Sequence, residues 1–196
     1  MKFGIVTPLL NARATFKACA ASVQTQLADF DGVHLVRESA ASIAPCEDIA
    51  AAHGCDYRRA PDGGLYDALG RGLDEAAAAG CDVLGWLNAD EQYLPGAFAA
   101  ARRAFDADPV LDLVFGDYLV LGAGGAVLAA RREIPPRRFY LRHGVNYLLS
   151  CTVFFRRELW TRLGGFDPAY AIVADKRFYL QALDAGAASR ARATAT

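Results

Sequence analysis

A chain of 196 residues can bury the core of one α/β domain but is short for two independent ones. Its 21 Lys and Arg nearly balance 22 Asp and Glu, leaving a formal net charge of −1, so no global field holds it on nucleic acid or an acidic membrane and any such contact must be local. Apolar residues make up 54% of the chain, yet no run approaches the roughly 20 uninterrupted apolar residues of a spanning helix, and Met1 to Pro8 lacks the features of a signal peptide, so a soluble, cytoplasmic protein is expected.

Strand-like and helix-like patterns alternate through the first two thirds, which predicts a mostly parallel sheet covered by helices. Phe3 to Val6 is a short β-rich run stopped by Thr7-Pro8, and Asn11 is placed to cap a helix whose apolar positions Phe16, Cys19, Ala20, Val23 and Leu27 recur at helical spacing. Val33 to Val36 predicts a second strand, Ile43 to His53 a second helix closed by Gly54, and Asp56 to Arg59 a third strand. Leu65, Leu69 and Leu73 share one face of a third helix that ends at Gly80, ahead of the strand Val83 to Leu87.

Pro95 begins a helix carrying Phe98 and Phe105, and Leu111 to Val120 with Ala126 to Ala130 read as a hairpin turning at Gly122 to Gly125. The arginine-rich stretch Arg131 to Arg142 holds Pro135-Pro136 and reads as a mobile basic loop. Thr152 to Phe155 resumes a strand, Glu158 to Leu163 a short helix, and Lys176 to Leu183 a last helix. Residues 187–196 are small and aperiodic and are expected to fray.

Asp90 and Glu91 close an apolar strand, and the carboxyl ends of strands in open α/β sheets are where ligands gather. A hard divalent cation held there by one or two carboxylates would neutralise a diphosphate leaving group, whereas the plain alternative is a solvated turn with Asp90 as a helix cap. Asp175 at the start of the last helix is a candidate general base, or simply its cap. Ala60 to Gly72 is a glycine-bearing turn feeding a helix, with Asp62 and Tyr66 able to hold a base or ribose and Arg71 able to approach phosphate, but it matches neither GxGxxG nor the P-loop. The five cysteines form no CxxC pair, and His34, His53 and His143 are too scattered for a metal cluster.

Four segments, in order along nearly the whole chain, resemble those of family-2 inverting glycosyltransferases. Ile5-Val6-Thr7-Pro8 with Asn11 and Ser22 to Gln26 is similar to the family's "ITP.YN" and "S...Q" opening. Pro61-Asp62-Gly63-Gly64-Leu65-Tyr66-Asp67-Ala68 resembles "PDGGIYDAMNKG", Gly85 to Phe98 resembles "GWLNSDDxYxPGAF", and Gly164-Gly165-Phe166-Asp167 with Ala174-Asp175 resembles "GGFDE…ADYD".

The resemblance implies a glycosyltransferase A fold: a single Rossmann-like α/β domain over 1–196, with a mostly parallel central sheet flanked by helices. Residues 1–94 would form its nucleotide-binding half and 95–186 its acceptor-side half. It implies donor contacts from Thr7, Pro8, Asn11, Glu38, Asp62, Gly63, Tyr66, Arg71, Asn88, Ala89 and Asp90, and a Mn²⁺ or Mg²⁺ ion on Asp90 with Glu91 in support. It further implies Asp175 as the catalytic base, with Trp160, Gly165, Phe166 and Asp167 on the acceptor side. The chain departs from the family where "VDGGSTDGT" becomes Val36 to Ser42, leaving Glu38 as the nearest acid, and where Asn88, Gly70 and Arg177 replace the usual residues.

The expected function is transfer of a sugar from a nucleoside-diphosphate donor, UDP-sugar foremost, to a saccharide or lipid-linked acceptor in cell-surface polysaccharide synthesis. Nucleic acid is not an expected partner. The basic loop would close over the phosphates or touch an anionic acceptor, and peripheral association with the inner face of a membrane and the oligomeric state are left open. The rivals are a non-catalytic or decayed nucleotide-sugar-binding homologue, motivated by the lost glycine-rich turn, and a nucleotidyltransferase.

Overall fold

The computed structural model describes residues 1–144, 148–167 and 169–191. Strand and helix alternate as β1 (Phe3–Leu9), α1 (Phe16–Leu27), β2 (Gly32–Ser39), α2 (Glu47–Ala52), β3 (Asp56–Ala60), α3 (Leu65–Ala78) and β4 (Val83–Trp86). There follow α4 (Ala97–Ala107), β5 (Leu111–Phe115), β6 (Tyr118–Leu121), β7 (Val127–Arg131) and α5 (Arg138–Arg142). A 3-10 turn at Ser150–Thr152 leads into β8 (Phe154–Arg156), α6 (Arg157–Leu163), α7 (Ala174–Asp184) and β9 (Ala188–Ala191).

Seven strands form one sheet in the order β3-β2-β1-β4-β8-β5-β9, parallel throughout except where β8 runs against β4 and β5. The central strands β1 and β4 are covered on both faces, which is why they read as nearly unbroken apolar runs rather than alternating ones. On one face Phe3, Ile5, Phe16, Val23, Phe98 and Phe154 pack with α1 and α4, and on the other Val6, Leu69, Leu73, Trp86, Phe155 and Phe178 pack with α3, α6 and α7. Each such fully buried side chain is worth roughly 1.5–3 kcal/mol over an exposed one. Helix α3 lies close on β1 because Gly72 faces Val6, where an added Cβ would stand 2.5 Å from Val6 Cγ1.

Several expected boundaries move for identifiable reasons. β1 does not stop at Thr7-Pro8 but runs on to Leu9, paired with β2. Val6 O accepts from Leu87 N, and Pro8, two residues on, points to the same edge after the β4 pairing has ended, so its missing N–H costs no bond. Asn11 does not cap α1, whose N-cap is Thr15. Its backbone is left-handed (φ 54°), its N–H donates to Ser42 Oγ and its Oδ1 accepts from Ile43 N at 2.8 Å. That staple, with Arg13 donating to Pro45 O, holds residues 42–45 as a turn and delays α2 to Glu47.

Leu111 to Val120 is two strands, because Gly116-Asp117 leaves the main sheet and β6 pairs only with β7, as the expected hairpin. The stretch read as a mobile basic loop contains the short helix α5, pinned by buried Leu141 and by ion pairs from Arg138 and Arg142 to Asp184. Residues 188–191, expected to fray, instead form β9 on the open edge of β5, with Ala188 N donating to Asp112 Oδ2. Backbone pairing at an edge needs no apolar periodicity, so small residues suffice there. Residues 192–196 lie outside the described residues, as does Pro168, which follows the Gly164-Gly165-Phe166-Asp167 segment.

Candidate active site

The carboxyl end of β4 is the centre of the site. Past Trp86 the chain turns at Asn88-Ala89-Asp90, with Ala89 buried and Asp90 exposed. Glu91 folds back, its Oε2 accepting from Asn88 N at 2.8 Å while its own N–H donates to Asn88 O. The carboxylate supplies one half of a capping box, satisfying the Asn88 N–H, while the Glu91 N–H closes the turn on the Asn88 carbonyl. Burial raises the Glu91 carboxyl above its ordinary range, and the Cys151 thiol beside it is pushed up to about 12 by burial and by the Glu91 charge. Glu91, half-buried, is thus tied by one carboxylate oxygen to its own turn. Asp90 alone faces outward.

Asp175 reaches the same end of the sheet from α7. The residue that opens the helix, Val173, has φ 61°, a left-handed conformation rare for a β-branched side chain. Asp175 Oδ1 accepts from Tyr66 Oη at 2.8 Å, a bond between α7 and the first turn of α3. Burial and the Asp175 charge push the Tyr66 phenol well above its usual value, so it stays a donor. Tyr66 was expected to hold a base or ribose; its hydroxyl is engaged with Asp175.

An aromatic cluster joins these pieces. Trp86 of β4 stacks on Tyr179 of α7 at 6.3 Å and 7°, and meets Phe166 edge-on at 5.4 Å. Phe166 in turn meets Tyr66 at 5.3 Å and Trp160 at 5.0 Å. Phe166, half-buried, is thus the hub between three motifs far apart in sequence. Trp160, expected on the acceptor side, is instead a buried core residue whose indole N–H donates to Asp74 at 2.8 Å. Gly165 (φ 80°) brings the turn so near that a Cβ would stand 3.1 Å from the Trp160 ring. Asp167 accepts from Ala169 N within that turn.

The donor-side residues divide between two faces of the sheet. Thr7 is fully buried, its hydroxyl 2.8 Å from His34 Nε2, so its side chain sits in the core and not on a pocket wall; Pro8, next along β1, is half-buried and faces α3. Glu38 Oε2 accepts from Cys46 N and Tyr57 Oη while Oε1 is buried without a partner among the described residues. Asn11, as described, is spent on the 42–43 backbone.

A cleft of about 210 Å³ lies between β2, β3 and the start of α3, lined among others by Arg37, Glu38, Arg58, Asp62 and Arg71. Asp62 accepts from Gly64 N, Gly63 N donates to Asp67, and Arg71 pairs with Asp67 and donates to Pro61 O. Arg37 and Arg58, which the sequence did not single out, bring two cations to this cleft, both paired with Glu75. The signal for Arg37 was the very replacement of the glycine-rich turn by Val36-Arg37-Glu38. A larger depression of about 680 Å³, lined by Asp82, Asp112 and Arg156, lies away from these motifs.

No cluster of three His, Cys, Asp or Glu suited to a metal occurs among the described residues. Asp90 supplies one hard anionic oxygen, which fits a Mg²⁺ or Mn²⁺ ion that takes its remaining oxygens from a diphosphate and water, and does not fit a protein-only cage.

No protein-family model matches the chain. It is 29% identical over 192 residues to a PGL/p-HBAD biosynthesis glycosyltransferase of Mycobacterium tuberculosis, covering 91% of this chain and 68% of that protein. An uncharacterized glycosyltransferase of the same organism is 30% identical over 145 residues, 68% of this chain and 52% of that one. Among solved structures, S. aureus TarS 1-349 in complex with UDP-GlcNAc aligns with a TM-score of 0.69 at 16% identity, over 100% of this chain and 60% of that one. Glucosyl-3-phosphoglycerate synthase from Mycobacterium tuberculosis with Mn²⁺, UDP-glucose and phosphoglyceric acid gives 0.65 at 20% identity, over 97% and 69%. The chain spans little more than half of TarS 1-349, 54% in one alignment. The class is therefore the glycosyltransferase A fold. Its sequence is similar to those of curated glycosyltransferases, and its fold is the one shared with TarS and glucosyl-3-phosphoglycerate synthase.

Proposed function

We propose that this protein is an inverting glycosyltransferase that moves a sugar from a UDP-sugar to a hydroxyl of a saccharide or lipid-linked acceptor in the assembly of cell-surface glycoconjugates. The observation that carries this reading is the convergence at the end of β4 of exposed Asp90, the Phe166 turn and an Asp175 held by Tyr66. The glycosyltransferase relatives and the UDP-sugars bound to the structural neighbours support the donor class.

In this reading Asp175 takes the proton from the acceptor hydroxyl as that oxygen attacks the anomeric carbon, and the diphosphate leaves from the opposite face in a single displacement. Tyr66 fixes the carboxylate with one oxygen and leaves the other for the acceptor. Asp90 would hold the divalent ion, whose charge stabilises the departing diphosphate. The 210 Å³ cleft with Asp62, Arg37 and Arg71 receives the nucleotide end. Residues 1–94 make the donor half and 95–186 the acceptor half, and work at the inner face of a membrane would suit a lipid-linked acceptor.

The test is a screen of nucleoside diphosphate sugars with Mn²⁺ by thermal shift, followed by a donor-consumption assay. Binding stabilises the folded state by mass action. Binding of a UDP-sugar with turnover, or slow hydrolysis, supports the reading. Binding with no donor consumed under any acceptor would establish the non-catalytic alternative.

A further inference from the structure

Residues 118–143 stand apart in charge and exposure. They hold five arginines, Arg131, Arg132, Arg137, Arg138 and Arg142, against one carboxylate, Glu133, in a chain of net charge −1. Within them β6 and β7 pair only with each other, outside the main sheet. A two-stranded ribbon is marginal in water without a packed face, yet this one leaves Leu119, Leu121, Val127 and Leu128 exposed, Leu128 by 68%. Ile134 and Phe139, the latter 67% exposed, continue the apolar surface toward α5. Its α5 end is held on the domain by buried Leu141 and the ion pairs of Arg138 and Arg142 to Asp184.

Apolar and aromatic side chains interleaved with guanidinium groups constrain what can cover them. A second copy of the chain would set one arginine group against another, and like charges so placed repel. An anionic bilayer meets both demands, because guanidinium groups pair with lipid phosphates while leucines and aromatic rings enter the boundary between headgroups and acyl chains. We propose that the β6–β7 ribbon and α5 form a docking face for an anionic lipid bilayer.

The use of this face rests on the glycosyltransferase reading. α5 packs on the end of α7 that bears Asp184, and the nine residues back to Asp175 span about 14 Å of helix, so a docked enzyme would hold its base within reach of a lipid-linked acceptor's head.

The test is flotation of the full chain with vesicles of phosphatidylcholine alone and with a third of the lipid replaced by phosphatidylglycerol, without donor or metal. Binding is expected only to the anionic vesicles and is expected to fall as salt rises. Arg131→Ser and Arg132→Ser should each weaken it about fivefold, and Leu121→Asp with Leu128→Asp should remove it while the circular dichroism spectrum stays unchanged. Asp90→Ala, which loses donor binding if the glycosyltransferase reading holds, should bind vesicles like the wild type, so the two ideas fail separately. Indifference of the wild type to anionic vesicles, equal binding by the variants, or a dimer in gel filtration that the same variants dissolve would each overturn the proposal.

Discussion

Tyr66 Oη donates a 2.8 Å hydrogen bond to Asp175 Oδ1, joining residues 109 positions apart. The bond makes α3, which begins the cleft, and α7, which bears the proposed base, a single unit. Tyr66→Phe keeps the ring on Phe166 and removes only the donor. A hydrogen bond to a charged group is worth about 1.5–3 kcal/mol, so transfer is expected to slow by roughly ten- to a hundredfold with donor KM little changed. Asp175→Asn should abolish transfer while donor binding survives. Steady-state kinetics paired with calorimetry checks both; a Tyr66→Phe enzyme at wild-type kcat would deny the tyrosine any positioning role.

Asp90 and Glu91 are adjacent and are predicted to behave oppositely. Asp90→Ala should lower Mn²⁺-dependent UDP affinity without loss of stability, since its carboxylate is exposed. Glu91→Ala removes the acceptor of Asn88 N and should cost about 0.5–2 kcal/mol in denaturant unfolding, the range for losing such a cap. UDP titrations with and without Mn²⁺ separate the two effects: an equal loss of metal-linked affinity in both variants would mean that Glu91 turns outward when the donor binds.

What could be read from the sequence, and what could not, follows from range. The β-α alternation, the Trp86 to Asp90 strand end and Asp175 at a helix start are local patterns, so they were legible. Thr7 was misplaced although parity warned of it, since it shares a face with Phe3 and Ile5, both core residues. Glu91 carried a similar warning in its spacing of three from Asn88. The Tyr66–Asp175 bond, the role of Phe166 as hub and the Glu75 clamp on Arg37 and Arg58 depend on which helices pack together, and no periodicity encodes that. β9 escaped because an edge strand is held by backbone bonds.

His34 should make stability depend on pH. It is almost wholly buried between Thr7 Oγ at 2.8 Å and Cys55 Sγ at 3.4 Å, and burial lowers its pKa to about 3, with His53 adding to the shift. Between that value and the ordinary His pKa of about 6.5, the unfolded chain binds a proton that the folded chain refuses. Stability therefore rises with pH across this window and falls as the medium is acidified, by at most about 1.4 kcal/mol per pH unit from this one group. Urea unfolding from pH 7 to pH 4 should show a shallower slope for His34→Gln than for the wild type. Parallel slopes would mean that the imidazole is protonated in the fold.

Gly72 sets how closely α3 approaches β1. An alanine Cβ there would lie 2.5 Å from Val6 Cγ1 and 3.2 Å from Cγ2. Val6 is fully buried on a central strand, and its β-branched side chain has little rotamer freedom with which to yield. Overpacking of this kind costs about 1–3 kcal/mol, against a gain of about 1 kcal/mol from replacing glycine in a helix. The net is a modest loss, read as a melting temperature lowered by a few degrees, about 2–4 °C per kcal/mol for a chain of this size. Because the obstacle is Val6 and not the helix backbone, Gly72→Ala in a Val6→Ala background should be neutral or stabilising, leaving only the helix-propensity gain. Additive effects of the two substitutions would place the strain elsewhere. Since the first turn of α3 carries Tyr66, the single variant should also lose transfer activity beyond its loss of stability, and the Val6→Ala background should restore it.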